Sequence, residues 1–164
     1  MHHQGKKIKN TALSFSSRGF SALEILVVMG ILAVLLSSII PSFLNFRRNT
    51  ILNTETQELM TIINRARLLS VSSKNDQPFG VHLESGKAVL FEGVTYSAVS
   101  ATNDAHVFDP SLTLVFAVGG GGAEVLFQKV TGATNQDATT TLLVTGTTGS
   151  TTIHVFPTGI ASIQ

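Results

Sequence analysis

The chain has 164 residues, 13% of them charged and 43% hydrophobic, with a formal net charge of +1. That length suits one domain of ordinary size, and the low charge density with a mean hydropathy of +0.32 argues against disorder. The absence of cysteine excludes disulfides, thiolate metal sites, cysteine nucleophiles and lipid-modified cysteines, and no basic stretch is long enough to leave an electrostatic footprint for nucleic acid.

In chain order, the near-neutral total breaks into unlike parts. Residues 1–19 carry Lys6, Lys7, Lys9 and Arg18 and no acid, a leader of +4, which leaves −3 for everything after Gly19. From Ile25 to Leu44 no residue is charged and 15 of 20 are apolar. As a helix this run spans about 30 Å, one bilayer crossing. A basic leader before it places the N-terminus in the cytoplasm and the following domain across the membrane. Three kinds of N-terminus fit: a cleaved secretory signal, an uncleaved anchor, or a leader cut on the cytoplasmic side. The first lacks its small-x-small site, because the apolar run passes into Ser37-Ser38-Ile39-Ile40-Pro41-Ser42-Phe43.

The junction Arg18-Gly19-Phe20-Ser21-Ala22-Leu23-Glu24 separates the other two. It resembles the signal of type IV prepilins and type II secretion pseudopilins. The resemblance implies that a prepilin peptidase cuts between Gly19 and Phe20 and methylates the new N-terminus at Phe20. Gly19, without a side chain, suits a backbone lying close in a protease cleft. Glu24 is fifth counting from Phe20, and a lone carboxylate at the edge of an apolar helix is costly without a partner. The resemblance supplies one, the methylated α-amine of a neighbouring subunit, so Glu24 is the subunit-assembly residue. It also speaks against the tip pseudopilin, which in that family lacks this glutamate. Pro41, at position 22 on the same count, is where the pilin helix kinks.

Beyond Pro41 the helix continues. Leu52, Leu59, Ile62, Ile63, Ala66 and Leu69 fall on one face, with Asn49, Asn53, Glu55, Gln57, Glu58 and Asn64 on the wet side. The run Ser72-Ser73-Lys74-Asn75-Asp76-Gln77-Pro78 ends it, after about 80 Å of helix. Then come short β segments: Phe79 to Leu83 and Ala88 to Glu92 around the turn Glu84-Ser85-Gly86-Lys87, Leu112 to Val118 and Glu124 to Val130 around Gly119–Gly122, and Thr139 to Thr145, Thr151 to Phe156 and Gly159 to Ile163. The expected fold is α+β and pilin-like: a long N-terminal helix, half transmembrane and half amphipathic, packed on an antiparallel β-sheet or β-sandwich. The divisions are a cleaved leader at 1–19, a membrane or filament-core helix at 20–44, its amphipathic half at 45–74, and a periplasmic β domain at 75–164.

That layout, with Leu59 to Ser72 reading as a Leu…Ala-Arg…Ser segment and the close Val155-Phe156-Pro157-Thr158-Gly159, is similar to the GspH/FimT group of minor pseudopilins and minor pilins. The implied function is a structural subunit of a type II secretion pseudopilus supporting protein export. The alternative is a minor type IV pilin acting in pilus assembly or DNA uptake, and a plain single-pass envelope protein stands third. Implied partners are other pilins through the N-terminal helix, the prepilin peptidase/N-methyltransferase and the inner-membrane assembly platform. The implied place is the inner membrane, crossed once. DNA-binding members carry arginines after the last turn, whereas here no cation follows Lys129 and phosphate neutralisation is missing, so nucleic acid is not an expected partner.

Other motifs have plainer readings. Gly119–Gly122 lacks the Lys-Ser/Thr of a phosphate loop and precedes a strand. His82, His106 and His154 lack metal-ligand spacing, and Asp104 and Asp109 are too few for a calcium cage. The threonines from Thr131 to Thr152 read as β-branched strand and turn sequence. Neither Gly-x-Ser-x-Gly nor His-Glu-x-x-His occurs, so no catalytic residue, metal or cofactor is assigned.

Overall fold

The computed structural model describes residues 19–146 and 148–164, and the side chains at 38–41 are left aside. The basic leader therefore lies outside the described residues, as does Thr147. The chain divides into two compact units, with the boundary between Pro41 and Ser42. One helix, α1 (Ala22–Val71), is assigned through that boundary. The backbone at Pro41 is assigned helical, and its side chain is not described.

In the first unit α1 begins on Ser21, whose Oγ accepts the Glu24 N–H at 3.2 Å. Every described side chain from Phe20 to Ser37 is exposed. An 18-residue window of α1 reaches a mean hydropathy of 2.7, long and apolar enough to cross a membrane.

In the second unit α1 is exposed up to Thr50 and buried on one face from Leu52 onward, and eight strands follow it: β1 (Phe79–Glu84), β2 (Lys87–Glu92), β3 (Asp104–Val107), β4 (Leu112–Val118), β5 (Glu124–Phe127), β6 (Ala138–Val144), β7 (Ser150–Val155) and β8 (Ala161–Ile163). They form two sheets, ordered β3-β2-β1-β5 and β4-β6-β7-β8, with every pair antiparallel. The fold is the expected α+β arrangement, a long N-terminal helix packed on an antiparallel two-sheet domain.

The alternation of the sequence explains the layers. Leu112, Leu114 and Val118 on β4, Ala138, Leu142 and Val144 on β6, and Ile153 and Val155 on β7 point inward. They meet Phe79, Val81 and Leu83 of β1, with Val125 and Phe127 of β5, in one core. Leu52, Leu59, Ile62, Ile63 and Ala66 of α1 form its third wall, as the helical periodicity required. Val89 and Phe91 face the other way and are also buried. Tyr96, from the loop after β2, covers that side edge-on to Phe91 and stacked 3.9 Å from His82.

Two junctions follow from local chemistry. Ser85-Gly86 turns β1 into β2 at the Glu84↔Lys87 pair, whose side chains meet at 3.1 Å. After Val71 the backbone takes positive φ at Ser73, Asn75 and Asp76, which breaks the helix where the polar cluster predicted. Lys129 holds this corner through the Asp76 carboxylate at 2.5 Å, and that hydrogen bond and charge keep the Asp76 carboxyl below the usual carboxylate range.

Candidate functional site

The exposed N-terminal segment is built from the backbone outward. Gly19 and Phe20 precede the helix and are exposed, with Phe20 at 78%. Ser21 caps the Glu24 amide, and Ser-x-x-Glu is the signature of a reciprocal capping box. Glu24 also lies in the first turn, where unpaired N–H groups and the helix dipole favour an anion. The Ser21…Glu24 spacing was visible in the sequence, but the family resemblance drew attention to the glutamate alone. Among the described residues no ion pair engages the Glu24 carboxylate. Next to it, Phe20, Ile25, Val28, Met29 and Leu32 line a wholly apolar groove along α1. A bare apolar surface of this extent needs lipid or partner helices over it.

In the second unit, polar side chains fasten α1 to the sheets. Ser70, fully buried, accepts the Phe79 N–H at 2.8 Å and donates to the Phe79 carbonyl at 3.2 Å. Its own carbonyl accepts the Val130 N–H at 3.1 Å. Val130 sits at φ 68 to make this bond, which is why β5 stops at Phe127 and does not reach Val130 as expected. Glu55, expected on the wet side, is half-buried: one carboxylate oxygen meets His106 Nε2 at 2.7 Å and the other accepts the Asp109 N–H at 3.3 Å. Arg65 pairs with Asp104 at 2.5 Å. These two contacts tie α1 to β3, a strand the sequence did not reveal.

The Ala66-Arg67 and Val155–Gly159 segments, far apart in sequence, meet in space. A methyl group on Gly159 would run into the Gly132 carbonyl and come 3.1 Å from Arg67 Nε. Arg67 Nε is buried there without a hydrogen-bond partner. The turn is closed by the Gly159 N–H donating to Phe156 O at 2.8 Å, and the Thr134 N–H binds Pro157 O at 2.9 Å. The helix, the loop after β5 and the last turn therefore share one tight contact.

The remaining sequence candidates fall apart from one another. Gly119–Gly122 is the link that carries the chain from β4 in one sheet to β5 in the other. His82 lies 3.6 Å from Glu84 and 3.5 Å from Glu124, His106 by Glu55, and His154 3.0 Å from Asp137. Among the described residues no three histidines or carboxylates are grouped to hold a metal. Asp104 pairs with Arg65. Asp109 Oδ1 accepts from the Ser111 hydroxyl at 2.6 Å and the Ser111 N–H at 2.8 Å. Those bonds, with the Arg47 charge as a smaller contribution, hold the Asp109 carboxyl below its ordinary range.

No protein-family model matches the chain, and no curated protein matches it in sequence. The fold does have a solved counterpart. The minor pseudopilin EpsH from the type 2 secretion system of Vibrio cholerae superposes with a TM-score of 0.54 at 12% identity, over 69% of this chain and 95% of that one. The class of fold is therefore pilin-like, and EpsH is a protein that shares it.

Proposed function

We propose that this chain is a minor-pseudopilin-like structural subunit. The observation that carries the reading is an uncovered apolar helix, opening at Phe20 and Glu24, attached to a two-sheet domain with the fold of EpsH. In this reading the peptidase cuts between Gly19 and Phe20 and methylates Phe20. The apolar run holds the subunit in the inner membrane with the β domain outside the cytoplasm, and the subunit then joins other pilins through its helix. The capped first turn suits the exchange, because Ser21 satisfies the Glu24 amide and leaves the carboxylate exposed to a neighbour's amine. Neither charge would then remain unpaired in an apolar filament core. The role is assembly and not catalysis, and no cofactor enters it.

The test is co-expression with a prepilin peptidase followed by mass spectrometry of the purified chain. The expected mature N-terminus is methylated Phe20. An intact Met1, or a cut beyond Ser37, refutes the reading.

A further inference from the structure

Leu44 ends the uncharged run, and the next residues are Asn45-Phe46-Arg47-Arg48-Asn49. Phe46 is 69% exposed. A pair of arginines directly beyond an apolar span, on the side opposite a basic leader, works against the charge rule that orients the span. Their surroundings overlap but differ.

Arg47 faces the β3–β4 turn, in a recess lined by Leu44, Ile51, Asp109 and Ser111 that Arg48 also borders. There its charge adds to the forces that keep Asp109 ionised, so it is locally compensated. Arg48, which is not among the groups that lower the Asp109 carboxyl, also lines a second recess, with Asn45 and Asn49 on α1 and Thr148 and Gly149 on the β6–β7 turn. Asn45, Arg48 and Asn49 stand at i, i+3 and i+4, so they share one face of the helix. Arg48 is exposed, and among the described residues no ion pair engages it. The recess thus offers a guanidinium, two carboxamides and a threonine hydroxyl, and it contains no carboxylate. This donor set suits an oxyanion with several acceptor oxygens.

The axial position selects which oxyanion. At about 1.5 Å per residue, Arg48 lies about 6 Å beyond Leu44 along the helix. The headgroup layer on each side of a bilayer is about 5–8 Å thick. With Leu44 at the edge of the hydrocarbon, Arg48 falls at the depth of lipid phosphates.

We propose that Asn45, Arg48, Asn49 and Thr148 bind the phosphate group of an anionic phospholipid at the membrane surface beside the β domain. The site rests on the membrane reading of the apolar run given above. A bound headgroup would fix the depth of α1 while the subunit waits in the bilayer, and releasing it would be part of leaving the membrane.

The full chain is reconstituted in vesicles of mixed phosphatidylglycerol and phosphatidylcholine, and the lipids retained on release are counted by native mass spectrometry. The wild type is expected to retain phosphatidylglycerol preferentially. Arg48→Gln should reduce that preference about fivefold, the effect expected of one basic side chain at an anionic surface. Arg48→Lys should keep most of it, and Arg47→Gln should change it less than twofold. Equal losses in Arg47→Gln and Arg48→Gln, or an unchanged preference in Arg48→Gln, overturn the site. Arg48-dependent binding of inorganic phosphate to the detergent-solubilised chain, without lipid preference, overturns the lipid assignment. Alkaline carbonate extraction of the same vesicles is the separate check on insertion. A wild-type chain that washes off overturns the membrane reading and this proposal with it, whereas an inserted chain with no lipid preference overturns the headgroup site alone.

Discussion

Replacing Gly159 by alanine should be among the most damaging single-methyl changes in the β domain, and its cost can be separated into parts. Gly159 has φ +79, a left-handed conformation that costs a side-chain-bearing residue about 1–2 kcal/mol. Its methyl group would also lie 2.9 Å from the Gly132 carbonyl carbon, closer still to that oxygen, and 3.1 Å from Arg67 Nε. Because the first obstacle is backbone, relief requires the turn to lift. Lifting breaks the bond from the Thr134 N–H to Pro157 O and leaves a donor on a residue that is only 3% exposed. An unsatisfied buried donor costs about 1–3 kcal/mol, so Gly159→Ala should lose about 2–5 kcal/mol in all. Gly146→Ala isolates the conformational part, since Gly146 has φ +76 and open space around it, and should lose about 1–2 kcal/mol. Gly86→Ala, with neither obstacle, should stay within about 0.5 kcal/mol. Urea unfolding of the full chain in mild detergent, followed by emission of Tyr96, the single tyrosine in a chain without tryptophan, gives the comparison. With a slope of about 2 kcal/mol/M, the Gly159→Ala midpoint falls by about 2 M. If Gly159→Ala proves no worse than Gly146→Ala, the close contact among Gly132, Gly159 and Arg67 does not bear on stability and the reasoning fails.

Ser70→Ala removes both hydrogen bonds to Phe79 in a fully buried position and should cost about 2–3 kcal/mol, with faster hydrogen exchange at the Phe79 amide; unchanged exchange would mean that the clip is dispensable. Glu24→Gln keeps the Ser21 cap on its own amide and removes the charge. It should leave cleavage after Gly19 intact while lowering incorporation beside sister subunits on the order of a hundredfold, the effect of breaking a buried pair, and normal incorporation would dismiss the amine-pairing argument. The Asp109 carboxyl is lowered in the folded state, so its contribution is present above the unfolded value of 3.8 and is lost as pH falls through the lower folded value. The stability advantage of the wild type over Asp109→Asn should therefore be constant near neutrality and shrink below about pH 4, and a pH-independent difference in thermal melting would count against this assignment.

Most of the architecture could be read where one physical signal dominated. The helical face from Leu52 to Ala66 and the strands β4, β6 and β7 follow the 3.6- and 2-residue periods. Elements held by polar pairs were harder to see. β3, Asp-Ala-His-Val, has no buried residue and no alternating apolar pattern. It is a strand because Leu90, Val89, Ala88 and Lys87 pair with it and because Arg65 and Glu55 reach across from α1. Ser70 reads as polar, yet it falls four residues after Ala66 and seven after Ile63, on the buried stripe. That position was the available clue. The burial of Glu55 had no local signal, since its partners His106 and Asp109 come from the far side of a long β excursion. At the start of α1 the cap on the Glu24 amide was encoded in the Ser21…Glu24 spacing.

The contact among Arg67, Gly132 and Gly159 also sets a timetable. Residue 67 is synthesised about 90 residues before residue 159, a delay of roughly 5–20 s at ordinary elongation rates. Until β7, β8 and the last turn arrive, Leu59, Ile62, Ile63 and Ala66 lack a complete wall to pack against. During that interval the nascent polypeptide carries two exposed apolar stretches in succession, the run from Ile25 to Leu44 and the face from Leu52 to Ala66. A stop before Gly159 would remove the turn that packs on Gly132 and Arg67 and with it the last side of this contact.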